Sequence, residues 1–187
     1  MRKLAVDEMN RIDIEQFKKL DKTPMIVVLD NIRSMNNVGS FFRTADAFRI
    51  EQLHLCGITA CPPHREITKT ALGSTESVEW NYFETTLQSV EWLKKNNYIV
   101  YAVEQVDTPI FLNDFIWNSN DKIALIMGNE VFGVSDDVLP YCDGALEIPQ
   151  IGTKHSLNVS VSAGMAMWHL YSQWLNIQKF SEHFKTK

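Results

Sequence analysis

The sequence predicts a single α/β domain built on a mainly parallel sheet with helices on both faces. Short apolar runs of strand length alternate along the chain with stretches of helical pattern. These runs are continuously apolar, which is typical of strands that are buried on both faces. The chain has 187 residues, 45% of them hydrophobic, which is enough for one full core. We therefore expect one main domain.

The segment before the first strand predicts a helix appended to this domain. Apolar residues recur at irregular, near-helical spacing over residues 2–22, and Pro24 ends the pattern. We assign residues 1–23 to an N-terminal amphipathic helical extension and residues 24–187 to the main domain. Such a helix serves for packing or for contact with a partner, and nothing in it indicates chemistry.

Five strands and three helices are predicted in the main domain. The strands cover residues 25–29, 53–56, 98–103, 123–127 and 145–148, and the helices cover residues 39–48, 87–96 and 157–177. Pro, Gly and Asn residues interrupt segments 59–84 and 104–121, which predicts loops, the first with a short helix. Ligands of α/β sheets bind beyond the carboxyl ends of the strands, so we expect a site among these loops.

The charge balance argues against a protein that holds nucleic acid by bulk electrostatics. The net charge is −5, whereas phosphate contacts need Lys or Arg. A local basic face remains compatible with this balance. Its candidate residues flank the polar segments described below: Arg33, Arg43, Arg49, His64, Arg65, Lys69, Lys154 and His155.

Cysteine usage and hydropathy predict a cytoplasmic protein that binds neither a metal nor a membrane. Cys56, Cys61 and Cys142 are odd in number and form no C-x-x-C pair, so we expect buried thiols. No run of about 18 apolar residues indicates a membrane span. The first residues also lack the apolar block of a signal peptide.

The first polar segment follows the strand at 25–29. We expect Asn37 and Gly39 to precede a helix and to leave backbone N–H groups free for an anion. Arg43, in the first turns of that helix, would suit a phosphate. The alternative is an N-capped helix with a surface arginine.

Two further polar segments follow later strands. Gly128 and Glu130 stand at the end of the strand at 123–127, where they suit a small-molecule pocket, although a glycine turn after a strand is common. Ser156 stands at or near the expected N-cap of the last helix, and capping alone would explain it. The aromatic and Met residues of that helix indicate core or a subunit interface.

Two common nucleotide-binding classes lose their main support. The first strand is not followed by the G-x-G-x-x-G fingerprint of dinucleotide binding, and no G-K-[ST] phosphate loop occurs. An oxidoreductase or a nucleoside triphosphatase is therefore disfavoured.

Taken in order, the three segments resemble the motifs of the SpoU branch of the SPOUT-class RNA 2'-O-ribose methyltransferases. The first motif, N-x-G-x-x-x-R-T-A, is matched by residues 37–45, and the second, G-x-E-x-x-G, by residues 128–133. The third, I-P-x-x-G followed by S-L-N-V-S-V, is matched by residues 148–152 and 156–161. The similarity covers roughly residues 24–174, and three ordered motifs are far more specific than one.

The resemblance implies a C-terminal trefoil knot, a homodimer and the cofactor S-adenosylmethionine. The positions that it assigns to the cofactor are Val103, Gly128, Ile148, Ser156, Leu157 and Asn158. The positions that it assigns to catalysis are Arg43, Asn37, Glu130, Ser156 and Asn158, and those assigned to RNA contact are Arg33, Arg43 and Lys154. In the family the arginine that matches Arg43 is regarded as the general base. A guanidinium is almost always protonated, so Arg43 as a clamp on an RNA phosphate is the alternative.

Two features depart from the family pattern. Gln150 stands where the family commonly has Met, and a helix replaces a separate N-terminal RNA-binding domain. The RNA therefore stays open between tRNA, at a D-loop guanosine or the wobble position, and rRNA, with the compact chain favouring tRNA. A non-catalytic RNA-binding or assembly factor with the same fold is the alternative outside enzymes.

Overall fold

The computed structural model describes residues 1–5, 8, 12–118 and 120–185, and it describes side chains as far as residue 178. Its centre is a seven-stranded sheet with the order β3-β2-β1-β6-β4-β7-β5. All strand pairings between these elements are parallel. The strands are β1 Thr23–Asp30, β2 Ile50–Cys56, β3 Trp80–Phe83, β4 Tyr98–Val103, β5 Ile110–Phe111, β6 Lys122–Met127 and β7 Gly144–Glu147.

Six helices accompany the sheet in the residues that the structure describes. They are α1 Ile14–Lys19, α2 Met35–Ala47, α3 Arg65–Ala71, α4 Ser74–Ser77, α5 Thr86–Lys95 and α6 Val159–Lys185. Two short 3-10 turns, Leu112–Asp114 and Leu139–Tyr141, lie in the connections. Within the described part of the chain, no helix is both long and apolar enough to cross a membrane.

The sheet is covered on both faces, as predicted. Alternate residues of β1 point to opposite sides, so that Met25, Val27 and Leu29 join one core while Ile26 and Val28 join the other. The first core includes buried residues of α2, α3 and α6, and the second includes Val90 and Leu93 of α5. The α/β class with helices on both faces is therefore confirmed.

A buried histidine lies in the second core. His54 of β2 is fully buried, with Nδ1 at 2.7 Å from Ser89 Oγ and Nε2 at 3.0 Å from Gln52 Oε1. Its ring packs against Phe83 and Trp92. Burial lowers the pKa of His54 to about 4, so the imidazole is neutral at pH 7.

Helix α2 begins earlier than predicted. Ser34 is its N-cap, and the Ser34 hydroxyl accepts a hydrogen bond from Asn37 N. Asn37 and Gly39 therefore lie inside the helix, and the expectation that they offer free N–H groups to an anion is wrong. Gly39 instead permits close packing, because a Cβ at this position would lie 2.4 Å from the carbonyl oxygen of Ile67 in α3.

Two strands were not predicted. β3 is half exposed and contains the polar Asn81, and β5 has only two residues, both exposed. Both are edge strands. Edge strands lack the continuous apolar pattern that identifies a strand buried on both faces.

The N-terminal helix is much shorter than the predicted one. α1 has six residues, with Asp13 as its N-cap, and residues 1–5 are not helical. Part of the predicted segment, around Met9, lies outside the described residues. Phe17 of α1 is buried, and α1 packs near α4. α6 starts two residues later and extends farther than predicted.

Candidate functional site

The carboxyl ends of β4, β6 and β7 surround one cavity. These strands are parallel neighbours, so Val103, Met127 and Glu147 lie at the same edge of the sheet. The cavity has a volume of about 300 Å³, at the lower end of the range for small-molecule sites. Five of the six residues that sequence reasoning assigned to a cofactor line this cavity: Val103, Gly128, Ile148, Ser156 and Leu157.

The cavity combines apolar walls with carboxylates. Its carboxylates belong to Glu104, Glu130 and Glu147, and its apolar side chains are those of Val103, Met127, Val131, Phe132, Leu146, Ile148, Leu157 and Val159. Apolar walls suit a flat ring system, and carboxylates favour a ligand that carries positive charge. Gln150, which departs from the family pattern, also lines the cavity.

A tight turn after β6 forms one side of the cavity. The backbone N–H and C=O of Asn129 bond those of Gly133 reciprocally, both at 2.9 Å. Gly133 has φ +71°, a conformation that favours glycine. A Cβ on Gly128 would lie 2.2 Å from the backbone of Gly133 and Val134. Gly128 is therefore needed for the turn to fold back onto the strand end.

Glu130 ties this turn to the segment after β1. Its carboxylate accepts hydrogen bonds from Arg33 N at 2.9 Å and Ser34 N at 3.0 Å. It also accepts one from Asn37 Nδ2 at 2.9 Å. Partial burial raises the pKa of Glu130, but these hydrogen bonds outweigh burial and hold the pKa below its ordinary value. Glu130 is therefore an ionised acceptor that fixes the start of α2.

Asn37 links the first motif to the third. Its Oδ1 accepts a hydrogen bond from Asn158 Nδ2 at 3.3 Å, while its Nδ2 donates to Glu130. Asn158 Oδ1 in turn accepts from Ser160 N at 3.0 Å and from Ser160 Oγ at 2.7 Å. One chain of hydrogen bonds thus joins residues of all three motifs, and Asn37 does not bond Arg43.

The cap of α6 is Asn158 and not Ser156. Asn158 Oδ1 accepts from Ser160 N and Val161 N, and Asn158 O accepts from Ser162 N. The prediction that Ser156 caps this helix is therefore wrong. Ser156 lines the cavity, whereas Asn158 lies outside its lining and faces Asn37.

Arg43 lies on a different cavity. It is exposed, and it lines a second, open cavity of about 780 Å³ with Asp46, Arg49 and residues of α1 such as Phe17. Among the described residues, the guanidinium group of Arg43, which belongs to α2, has neither a hydrogen bond nor an ion pair. Within one chain, the structure therefore does not place Arg43 at the cavity that Gly128 lines.

The other predicted RNA contacts are both exposed. Arg33 lies beside Glu130, to which its backbone N–H is bonded. Lys154 belongs to the exposed segment 151–158, which supplies His155, Ser156 and Leu157 to the first cavity, but Lys154 itself does not line that cavity.

Sequence reasoning missed three polar residues that hold the site together. Asn129 Nδ2 donates to Asn31 O at 2.7 Å, and Glu104 Oε2 accepts from Val134 N at 3.0 Å. The buried Asp30 accepts from Ser135 N at 2.7 Å and from Thr86 Oγ1 at 2.5 Å. Each stands at the end of an apolar strand or within two residues after it, and that position is the signal that could have identified them.

Comparison with known families and proteins gives a consistent result. A model of the SpoU rRNA methylase family matches residues 24–168. The chain is 29% identical over 161 residues to the 23S rRNA (guanosine-2'-O-)-methyltransferase of Neisseria meningitidis, a match that covers 84% of this chain and 62% of that protein. It is 27% identical over 168 residues to the tRNA (guanosine(18)-2'-O)-methyltransferase of Thermus thermophilus, covering 90% of this chain and 84% of that protein.

A solved structure has the same fold. The AdoMet-bound rRNA methyltransferase from Sinorhizobium meliloti superimposes with a TM-score of 0.74 at 24% identity, over 82% of this chain and 59% of that one. The chain thus spans about three fifths of the length of that protein and of the Neisseria enzyme.

Proposed function

The chain belongs to the SpoU rRNA methylase family, and we propose that it transfers a methyl group from S-adenosylmethionine to a ribose 2'-OH of RNA. The observation that carries this proposal is the hydrogen-bonded chain from Glu130 through Asn37 to Asn158, beside a cavity of small-molecule size. The motif resemblance to this family is confirmed by the match to residues 24–168.

The cavity residues fit this cofactor. Val103, Ile148 and Leu157 offer apolar contacts for an adenine ring, and Glu104 and Glu147 offer carboxylates to the positively charged groups of the methionine part. Gly128 and Ser156 would complete the binding site. When bound, S-adenosylmethionine supplies an activated methyl group. The relatives named for rRNA and tRNA methylation and the AdoMet-bound structure support this assignment.

The 2'-OH must be oriented and must lose its proton as the methyl group is transferred. Because a guanidinium stays protonated at neutral pH, we assign Arg43 to clamping an RNA phosphate and orienting the hydroxyl. The proton then leaves to a phosphate oxygen or to water. Asn37, Asn158 and Glu130 would hold the start of α2 and the start of α6 in fixed positions relative to each other during this step.

A homodimer is part of the proposal, because Arg43 and the first cavity lie apart within one chain. α6 supports a dimer: Val161, Met165 and Trp168 form an exposed apolar stripe at helical spacing, while Ala163, Ala166 and Met167 are buried. We propose that a second copy packs on this stripe and supplies its Arg43 to the cavity. The order β6-β4-β7 supports the C-terminal trefoil knot as a further part of the proposal.

Transfer RNA is the substrate that we propose. A relative named for tRNA (guanosine(18)-2'-O)-methylation matches 90% of this chain. The N-terminal segment contributes α1 to the second cavity, which holds Arg43. An rRNA substrate is the second candidate.

The test is transfer of labelled methyl groups from S-adenosylmethionine to pools of unmodified tRNA and rRNA transcripts. We expect labelling of the tRNA pool at a 2'-O position, and near-complete loss in Arg43→Lys, which lacks the planar fork of a guanidinium. Mixed dimers of Arg43→Ala with Gly128→Ala would regain part of the activity if the two sites belong to different copies. Absence of labelling in every RNA would overturn the proposal and favour a non-catalytic RNA-binding factor.

A further inference from the structure

The most exposed large aromatic side chain near the first cavity is that of Phe132. It is 85% exposed, and the neighbouring Val131 is 61% exposed. Both line the cavity in which Gly128 and Glu130 also lie. Burial of a phenylalanine side chain stabilises a protein, but Phe132 is not buried by the described part of the chain.

The backbone holds Phe132 in this position. Asn129 Oδ1 accepts hydrogen bonds from Val131 N at 2.9 Å and from Phe132 N at 3.2 Å. The reciprocal bonds between Asn129 and Gly133 close the turn around these two residues. The ring is therefore presented by a closed, hydrogen-bonded turn and not by an unconstrained loop.

The side chains of Glu130 and Phe132, both in this turn, have different surroundings. Glu130 bonds the backbone of Arg33 and Ser34 at the start of α2, whereas Phe132 stands in solvent at the cavity mouth. Phe132 lines the cavity that we propose to hold the methyl donor, so a ribose that brings its 2'-OH to that methyl group comes close to this turn. The base attached to that ribose, or the base next to it, then lies within reach of the ring.

We infer that Phe132 is a stacking platform for an unpaired nucleobase of the RNA substrate. This inference rests on the proposed function and specifies how the same site takes up its substrate. Sequence-specific RNA binding commonly uses bases that are splayed out and stacked on aromatic side chains. An exposed aromatic ring can stack on any base, because every base has a π-face.

The test compares Phe132→Leu with Phe132→Tyr. Leucine keeps the apolar volume but has no flat face, whereas tyrosine keeps the ring. We expect Phe132→Leu to weaken equilibrium binding of a pool of unmodified tRNA transcripts by about 5- to 150-fold, the range for loss of one base-aromatic stack. We expect Phe132→Tyr to bind within about 3-fold of the wild type. Calorimetry with S-adenosylhomocysteine gives the effect of each substitution on the cavity itself, and in Phe132→Leu the loss of RNA binding should exceed any loss of S-adenosylhomocysteine binding.

Ile116→Ala is the matched control. Ile116 is 78% exposed, but its neighbour Trp117 donates to Asp121 O just before β6 begins, at the opposite end of that strand from the cavity. RNA binding by this variant should equal that of the wild type.

Three results separate the possible outcomes. Equal RNA binding by Phe132→Leu and wild type, in a protein that methylates RNA, would overturn the inference alone. Dissociation of a dimer by Phe132→Leu, in parallel with weaker RNA binding, would overturn it in favour of contact with a second copy of this chain. A wild type that neither binds nor methylates RNA would overturn both the inference and the proposed function.

Discussion

Gly39 of α2 approaches Thr70 of α3 so closely that a Cβ on Gly39 would lie 2.0 Å from Thr70 Oγ1. The same Cβ would lie 2.4 Å from the backbone oxygen of Ile67. Side-chain rotation can move the hydroxyl but cannot move the backbone carbonyl. The distance between the two helices therefore depends on glycine at this position.

We predict that Gly39→Ala destabilises the protein, although alanine is the better helix former. The clash forces α2 and α3 apart, and overpacking of this kind typically costs about 1–3 kcal/mol in the free energy of unfolding. Urea denaturation measures this loss in the free energy of unfolding. Asn36→Ala, at an exposed position of the same helix, controls for helix propensity and should be neutral or slightly stabilising. If Gly39→Ala/Thr70→Ala regained full stability, the backbone contact would be irrelevant.

The hydrogen bond from Asn37 to Glu130, the bridge to Glu130, leads to a prediction about the effect of an added charge. Asn37→Asp keeps the shape of the side chain but loses the donor to Glu130 and places two carboxylates together. We expect a loss of about 1–3 kcal/mol in unfolding free energy at pH 7. The like charge raises a carboxyl pKa in the folded state, so the folded protein binds an extra proton and the loss should shrink as the pH falls below about 5.

Asn36→Asp is the control for that experiment, because it adds the same charge one residue earlier on the exposed side of α2. Its stability should follow that of the wild type between pH 4 and pH 8. Equal effects of the two substitutions would mean that the bridge to Glu130 contributes nothing specific.

Gly128 provides a prediction about ligand binding. Gly128→Ala would place a Cβ 2.2 Å from the backbone of Gly133 and Val134, and it would displace the turn that forms one side of the cavity. We expect the dissociation constant of S-adenosylhomocysteine, measured by calorimetry, to rise by more than about 10-fold, which is about 1.4 kcal/mol. In Gly152→Ala the added Cβ would have no atom within 4 Å, so this substitution should leave the dissociation constant unchanged. Unaltered binding by Gly128→Ala would place the ligand elsewhere.

The neutral, buried His54 predicts a pH dependence of stability. Its pKa is about 4 in the folded protein, against about 6.5 in an unfolded chain. The unfolded state therefore binds more protons between these values, so stability falls as the pH is lowered from about 6.5 to 4, by about 3 kcal/mol.

The measurement is urea denaturation of wild type and His54→Gln between pH 4 and pH 8. Glutamine does not titrate, so the difference in unfolding free energy between the two proteins should vary over this range. A constant difference between wild type and His54→Gln would show that His54 does not titrate differently on folding.

The predictable part of the fold is its centre. The ends of β1, β4 and β6 were predicted to within two residues, because strands that are buried on both faces are continuously apolar. The start of α2 was predictable in principle from Ser34, whose hydroxyl accepts from Asn37 N, but the predicted helix was placed four residues too late, with Gly39 as its first residue. Sequence alone cannot distinguish a glycine that bends the chain from one that allows another helix to approach.

Site residues were predictable where a motif residue lies at the end of a strand. Gly128 and Ile148 follow or end apolar runs, and both line the cavity. The separation of Arg43 from that cavity depends on the rotation of α2 and on the packing of α1, which no local pattern encodes. The bonds of Asn37 to Glu130 and Asn158 join positions far apart in the chain, and they become visible only in three dimensions.

The place of β1 between β2 and β6 has a consequence for biosynthesis. Val27 pairs with Leu53 on one side and with Leu125 on the other. On the ribosome, β2 can join β1 early, but the other edge of this apolar strand stays unpaired until β6 has emerged. An open apolar edge invites pairing with other chains. The nascent protein should therefore depend on chaperones, and its refolding should be slow and should yield more aggregate as concentration rises.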